Sequence, residues 1–136
     1  MNIQELDAAA RDSSVALWHR VGLTRPWNVP EDDFDRALNG PSSVILGLVE
    51  DGVVVGTAMV GYDGHRGWVY YLAVDPSQRH TGLGAALMDE AETWVRGAGI
   101  TRIQLMVRAD NADAESFYRH RGYEVAGVKV FARDLG

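Results

Sequence analysis

The sequence predicts a mixed α/β (α+β) domain. A mostly antiparallel sheet carries one parallel strand–helix–strand unit at its centre, with helices on its flanks. Three observations carry this. Trp68 to Val74 is an unbroken run of aromatic, aliphatic and alanine residues, the pattern of a strand buried on both faces. The glycine-bearing loop Gln78 to Gly84 follows and opens straight into a helical pattern, with Leu83, Ala86, Leu87, Ala91, Trp94 and Val95 on one face. Upstream, two β-rich runs flank Glu50-Asp51-Gly52, a hairpin turn because Asp-Gly tolerates positive φ.

In chain order, Met1 to Leu6 reads as a short edge strand. Asp12 to Val21 reads as a helix capped by Asp12 or Ser13 and stopped by Gly22. Thr24 to Pro30 is a loop fixed by two prolines. Pro30 with Glu31, Asp32 and Asp33 then opens a second helix, with proline and acids in its first turn. Phe34, Ala37 and Leu38 form its apolar face, and Asn39-Gly40 ends it. Ser43 to Val49 and Val53 to Tyr62 are the hairpin strands. Gly56, inside the second, marks a bulge or a close approach by another element.

Tyr62 to Gly67 is a second turn into the central strand, and Asp75-Pro76 ends that strand. After the central helix and a break at Gly97 to Gly99, Arg102 to Val107 reads as another buried strand, parallel to the first. Asp110-Asn111 caps a helix that runs to His120 and stops at Gly122. Tyr123 to Leu135 offers two short strands around Gly127.

The 136 residues suit a single domain with one core, spanning 1–136. With 46% hydrophobic and 24% charged residues the chain is an ordinary globular one. A net charge of −6 argues against general nucleic-acid or anionic-membrane binding; it leaves room for a cationic substrate such as an amine, although surface acidity is usually only a solubility feature. There is no cysteine, hence no disulfide, thiolate nucleophile or cysteine metal site. His19, His65, His80 and His120 lack metal-ligand spacing, so no metal is expected. No signal peptide or membrane-length apolar run appears, and a cytoplasmic location is expected.

Strand, glycine loop and helix together aim backbone N–H groups at an anion, and the helix dipole adds roughly half a positive charge. Gly82 and Gly84 let that backbone approach without a Cβ in the way, and Arg79 adds a charge-assisted donor. The turn therefore reads as a pyrophosphate site.

Arg79-His80-Thr81-Gly82-Leu83-Gly84 matches the pattern Arg/Gln-x-x-Gly-x-Gly/Ala. Asn111, Ala114, Phe117, Tyr118, Gly122 and Tyr123 match Asn-x-x-Ala-x-x-aromatic/Leu-Tyr-x-x-x-Gly-Phe/Tyr. Both patterns belong to the GNAT superfamily of N-acetyltransferases, which the chain resembles over nearly its whole length. Arg25-Pro26-Trp27-Asn28 and Gly61 to Gly67 look like the YpeA branch of that superfamily.

The resemblance implies the acyl-CoA N-acyltransferase fold and transfer of an acetyl group from acetyl-CoA to a primary amine, on a small molecule or a peptide, by direct attack in a ternary complex. It places the pyrophosphate on Arg79, His80, Thr81, Gly82, Leu83 and Gly84. It lays the pantetheine arm along Leu72, Ala73 and Val74, with a backbone N–H near Val74 as oxyanion donor. Tyr118 matches the acid that protonates the leaving thiolate. Asn111 matches a contact to the cofactor arm and is also a plain helix cap. The general base stays open among Asp63, His65 and a water relayed past Tyr70 or Tyr71. Trp27, Asn28 and Tyr71 are the acceptor-site candidates, although Trp27 also suits a lid over the core. The resemblance allows a homodimer.

Two other functions compete. The Gly82-x-Gly84 spacing suggests a dinucleotide loop, but the third glycine is absent and Arg102 stands where an acid is needed. A non-catalytic acyl-CoA sensor on the same fold is the other.

Overall fold

The computed structural model describes residues 1–136. Two compact units divide the chain, residues 1–105 and 106–136.

The first unit holds the sheet, built in chain order. β1 (Gln4–Glu5), β2 (Ser43–Glu50), β3 (Val53–Tyr62) and β4 (Gly67–Val74) pair antiparallel in turn, and β5 (Ile103–Leu105) pairs parallel to β4. The expected mixed sheet with one parallel pair is what forms. Asp51 and Gly52 both take positive φ, 51° and 77°, which gives the hairpin turn the twist its strands need.

Helices α1 (Arg11–Arg20) and α2 (Pro30–Asn39) supply Val15, Leu17, Trp18, Phe34 and Ala37 to a core with Leu6, Ile45, Val54 and Ala73. Helix α3 (Leu83–Gly97) covers the opposite face. There Gly56 makes room for it, since a Cβ on Gly56 would stand 2.7 Å from Leu83 Cδ2. The β2–β3 register also slips beside Gly56, so both a bulge and a close approach are present.

Several boundaries differ from expectation. The first helix is not capped by Asp12 or Ser13: a 3₁₀ turn, Ala8–Ala10, precedes it, and Asp7 caps that turn through a 3.0 Å bond from the Ala9 N–H. The Ser13 hydroxyl instead accepts the Val54 N–H at 2.8 Å, tying α1 to β3. β4 is not buried on both faces: Gly67, Val69 and Ala73 are, but Tyr70 is 44% exposed. β5 is three half-buried residues rather than a buried strand over Arg102 to Val107.

The second unit contains α4 (Ala112–His120). Gly122, at φ 88°, follows its end. The two strands expected between Tyr123 and Leu135 do not form, and Val125, Val128, Val130 and Phe131 are exposed. A β-prone segment becomes a strand only when a partner takes up its backbone groups. No helix of the chain is long and apolar enough to cross a membrane.

Candidate acyl-transfer site

The β4–α3 turn has the backbone geometry that an anion-binding turn needs. Asp75 ends β4 and receives the Ser77 N–H at 2.9 Å on one oxygen and the Arg20 guanidinium at 2.6 and 2.9 Å on the other. The bonds from Ser77 and then Arg20 hold its carboxyl down at about 2, so it is ionised. The loop continues through Pro76–Gln78, a 3₁₀ turn, and Thr81 is tied back by its hydroxyl to the Gln78 carbonyl at 2.6 Å. His80 and Gly82 both take left-handed backbone, φ 65° and 84°.

Helix α3 then starts with no side-chain cap, and its first intrahelical bond runs from the Ala86 N–H to the Gly82 carbonyl. The N–H groups of Leu83, Gly84 and Ala85 consequently have no partner within the helix. Arg79, His80, Thr81 and Gly82 are exposed around them. The Leu83 side chain, 1% exposed, is core, so that residue offers the site its backbone alone.

Toward the middle of β4 the sheet opens. β5 pairs only with Gly67, Trp68 and Val69. Tyr70 to Val74 extend beyond it with no strand on that edge. In the β3–β4 ladder Met59 faces Tyr70 but Thr57 faces Ala73, so β4 carries one extra residue, a bulge at Tyr71-Leu72. Before the bulge the Gly67 N–H points toward the β5 side, to the Arg102 carbonyl; after it the Asp75 N–H points toward β3, to the Val55 carbonyl. By strand alternation Leu72 and Val74 therefore turn their N–H groups to the open edge. Ala73, expected beside them, is a correction: it faces Thr57 and its side chain is buried.

Tyr71 is also a correction as an acceptor residue. The bulge swings it onto α1 and α2. Its ring stacks on Trp18 at 3.9 Å between centroids and 11° between planes, and its hydroxyl donates to Asp33 Oδ2 at 2.7 Å. Burial, then that bond, raise its phenol well above the ordinary pKa of 10.

On the same face as these rings lies a cleft of about 470 Å³, lined by Ala37, Ser42, Met59, Asp63, Trp68 and Tyr70 among others. The Trp68 and Tyr70 rings lie 6.3 Å apart and 19° from parallel. Neither was singled out from the sequence as an acceptor residue. The available signal was their i, i+2 spacing on one strand face.

Asp63 lines this cleft too, and its role as a base is corrected. One oxygen accepts the His65 and Arg66 N–H groups at 2.8 Å each, the other the Trp68 Nε1–H at 3.0 Å. The backbone bonds first, then the indole, hold the carboxyl down at about 2. So acid a carboxyl is a poor acceptor for an ammonium proton, and the geometry gives Asp63 to the turn. His65 is exposed in that same turn. The turn and the β4–α3 loop lie at opposite ends of β4, roughly 20 Å apart at about 3.3 Å per residue. Trp27 is 66% exposed, so it is no lid over the core, and the Asn28 N–H closes a turn on the Arg25 carbonyl. Neither residue lines the cleft.

In the second unit, Asn111 caps α4 through its Oδ1, which accepts the Ala114 N–H at 3.0 Å. Tyr118 is half-buried, with Phe117 and Tyr123 edge-on to its ring at 5.1 and 5.7 Å. Burial pushes its phenol up to about 12.

The sequence model of the Acetyltransferase (GNAT) family matches residues 8–123. The chain belongs to that family. As a GNAT protein it is an acetyl-CoA-dependent N-acetyltransferase. Its fold is similar to the aminoglycoside acetyltransferase AAC(6')-Iy bound to a bisubstrate analogue (TM-score 0.82, 17% identity, 99% of this chain and 98% of that one). It is also similar to AAC(6')-IG from Acinetobacter haemolyticus (TM-score 0.79, 17% identity, 100% of both chains). A third similar structure is the ribosomal-protein-S18-alanine N-acetyltransferase from Escherichia coli (TM-score 0.74, 23% identity, 89% of this chain and 76% of that one).

Proposed function

We propose that this GNAT enzyme acetylates a cationic primary amine that binds in the Trp68–Tyr70 cleft, by direct attack within a ternary complex. The observation that carries this is the adjacency of the cleft to the open edge: Tyr70 lines the one, and Leu72, two residues on, presents its N–H to the other. The α3 start and Arg79 hold the pyrophosphate. Leu72 and Val74 hold the arm and the thioester oxygen. The cleft offers two aromatic faces and an ionised Asp63, a setting for a cation with a flat or apolar body. The aminoglycoside and S18-alanine enzymes among the similar folds also take amine acceptors.

In the step, the amine nitrogen bonds to the thioester carbonyl carbon and the C–S bond breaks. Negative charge passes through the carbonyl oxygen, met by the Val74 N–H, to the sulfur. Tyr118 gives the sulfur a proton and regains one from water. The new amide nitrogen loses its extra proton to water, because the cleft provides no group basic enough to be left protonated.

The test is thiol release from acetyl-CoA against a panel of primary amines: aminoglycosides, polyamines, amino-acid amides and peptides with N-terminal alanine. Amine-dependent release, with KM raised by Trp68→Ala or Tyr70→Ala, is expected. Tight acetyl-CoA binding without transfer to any amine would make the chain an acyl-CoA sensor instead.

A further inference from the structure

The bulge in β4 is held by a buried chain of hydrogen bonds that lies outside the cleft and the cofactor loop. Trp18 Nε1–H donates to Thr57 Oγ1 at 2.9 Å, and the Thr57 hydroxyl donates to the Tyr71 carbonyl at 2.8 Å. Trp18 and Thr57 are both 0% exposed. Thr57 is one of only two buried polar residues in the chain, and both capacities of its hydroxyl are used. Tyr71, whose carbonyl ends the chain, takes φ 51°, a left-handed conformation that costs a bulky non-glycine residue and persists only where its surroundings enforce it. The Trp18 ring, stacked on Tyr71, and Asp33, bonded to its hydroxyl, complete the enforcement.

The bulge sets the phase of everything after it. Removing the extra residue from β4 would give the β5-side direction to the N–H groups of Ala73 and Asp75. Those of Leu72 and Val74 would turn toward β3. We infer that Trp18 and Thr57 are positioning residues: they lock Tyr71 in the bulge and so aim the Leu72 and Val74 N–H groups at the open edge where the acyl carrier lies. This rests on the acetyl-CoA reading of that edge. Neither residue touches substrate. Thr57 works on Tyr71 from β3, and Trp18 does so from α1. Helix α1 thereby becomes part of the machinery that presents two amides on β4.

The experiment is an amide ¹H–¹⁵N titration with acetyl-CoA, on the wild type and on Thr57→Val, which keeps the side-chain shape and removes both hydrogen bonds. In the wild type the amides of Leu72, Val74 and Arg79 to Gly84 should all shift. In Thr57→Val the loop amides should still shift, while the Leu72 and Val74 responses are lost, and Thr57→Ser should restore them. If Thr57→Val does not fold, Trp18→Phe carries the test. It removes only the indole donor and should diminish the Leu72 and Val74 responses selectively. Leu72 and Val74 shifts in folded Thr57→Val equal to the wild type's would overturn the positioning role. So would equal shifts in Trp18→Phe where it stands in. A wild type whose Arg79 to Gly84 amides ignore acetyl-CoA would instead overturn the cofactor reading itself, a separate outcome.

Discussion

Tyr118 and Asp63 are both polar residues beside aromatic rings, and their surroundings push them in opposite directions. Burial keeps the Tyr118 phenol protonated up to about 12, so it stays a donor throughout the range in which an enzyme is assayed. Tyr118→Phe should lower turnover about 100-fold or more, the usual scale of a lost general acid, and leave acetyl-CoA affinity nearly unchanged. Steady-state kinetics with a parallel binding titration checks the split. Three hydrogen bonds hold Asp63 down at about 2, against its ordinary value of 3.8. A depressed carboxyl stabilises the fold above its unfolded pKa and loses that contribution as pH falls through the folded one. Asp63→Asn should therefore keep wild-type kcat, raise KM for a cationic acceptor, and flatten the stability loss between about pH 4 and pH 2, measured by steady-state kinetics and acid unfolding. In sequence, an Asp followed by glycine and histidine reads equally as base or as turn cap. Only the two N–H groups and the indole that converge on it decide.

At the scale of elements, two glycines act by different physics. A Cβ on Gly56 would meet Leu83 and Leu87 of α3. Gly56→Ala should thus destabilise by about 1–3 kcal/mol through overpacking, seen in chemical denaturation. A Cβ on Gly82 meets nothing within 4 Å, but the residue sits at φ 84°. Gly82→Ala should cost about 1–2 kcal/mol of backbone strain and weaken acetyl-CoA binding by turning the first α3 N–H groups away.

The hairpin, the parallel pair, the glycine turn and all four helices were legible because their signals are local: periodicity, caps, Asp-Gly, proline. What was not legible depends on pairing across the sheet. The Tyr71-Leu72 bulge reverses which face and edge each later β4 residue takes. So Tyr71 looked like a pocket residue and Ala73 like a cofactor contact. Trp68 and Tyr70, ahead of the bulge, read as part of a strand buried on both faces, whereas Trp68 is half-buried and Tyr70 exposed. The brevity of β5 and the absence of tail strands have the same origin, since strand propensity names no partner.

For the molecule as a whole, the net charge of −6 and the ionised Asp63 at the cleft favour a cationic acceptor. On the proposed route, in which water takes the amine proton, the acceptor reacts as its free amine. The pH profile of kcat/KM should then rise with unit slope to the acceptor's own ammonium pKa, and shift when an acceptor of different pKa is used. A limb at one fixed pH for every acceptor would point back to a base on the protein, such as His65.

The uncapped α3 start and the open β4 edge meet their most direct test in a thermal-shift titration with acetyl-CoA, CoA and NADH side by side. At about 100 times its dissociation constant, acetyl-CoA should stabilise the fold by roughly 2.7 kcal/mol. CoA should do much the same and NADH nothing. No shift with either CoA species, from a chain that unfolds cooperatively, would contradict the acetyl-CoA site at the β4–α3 turn.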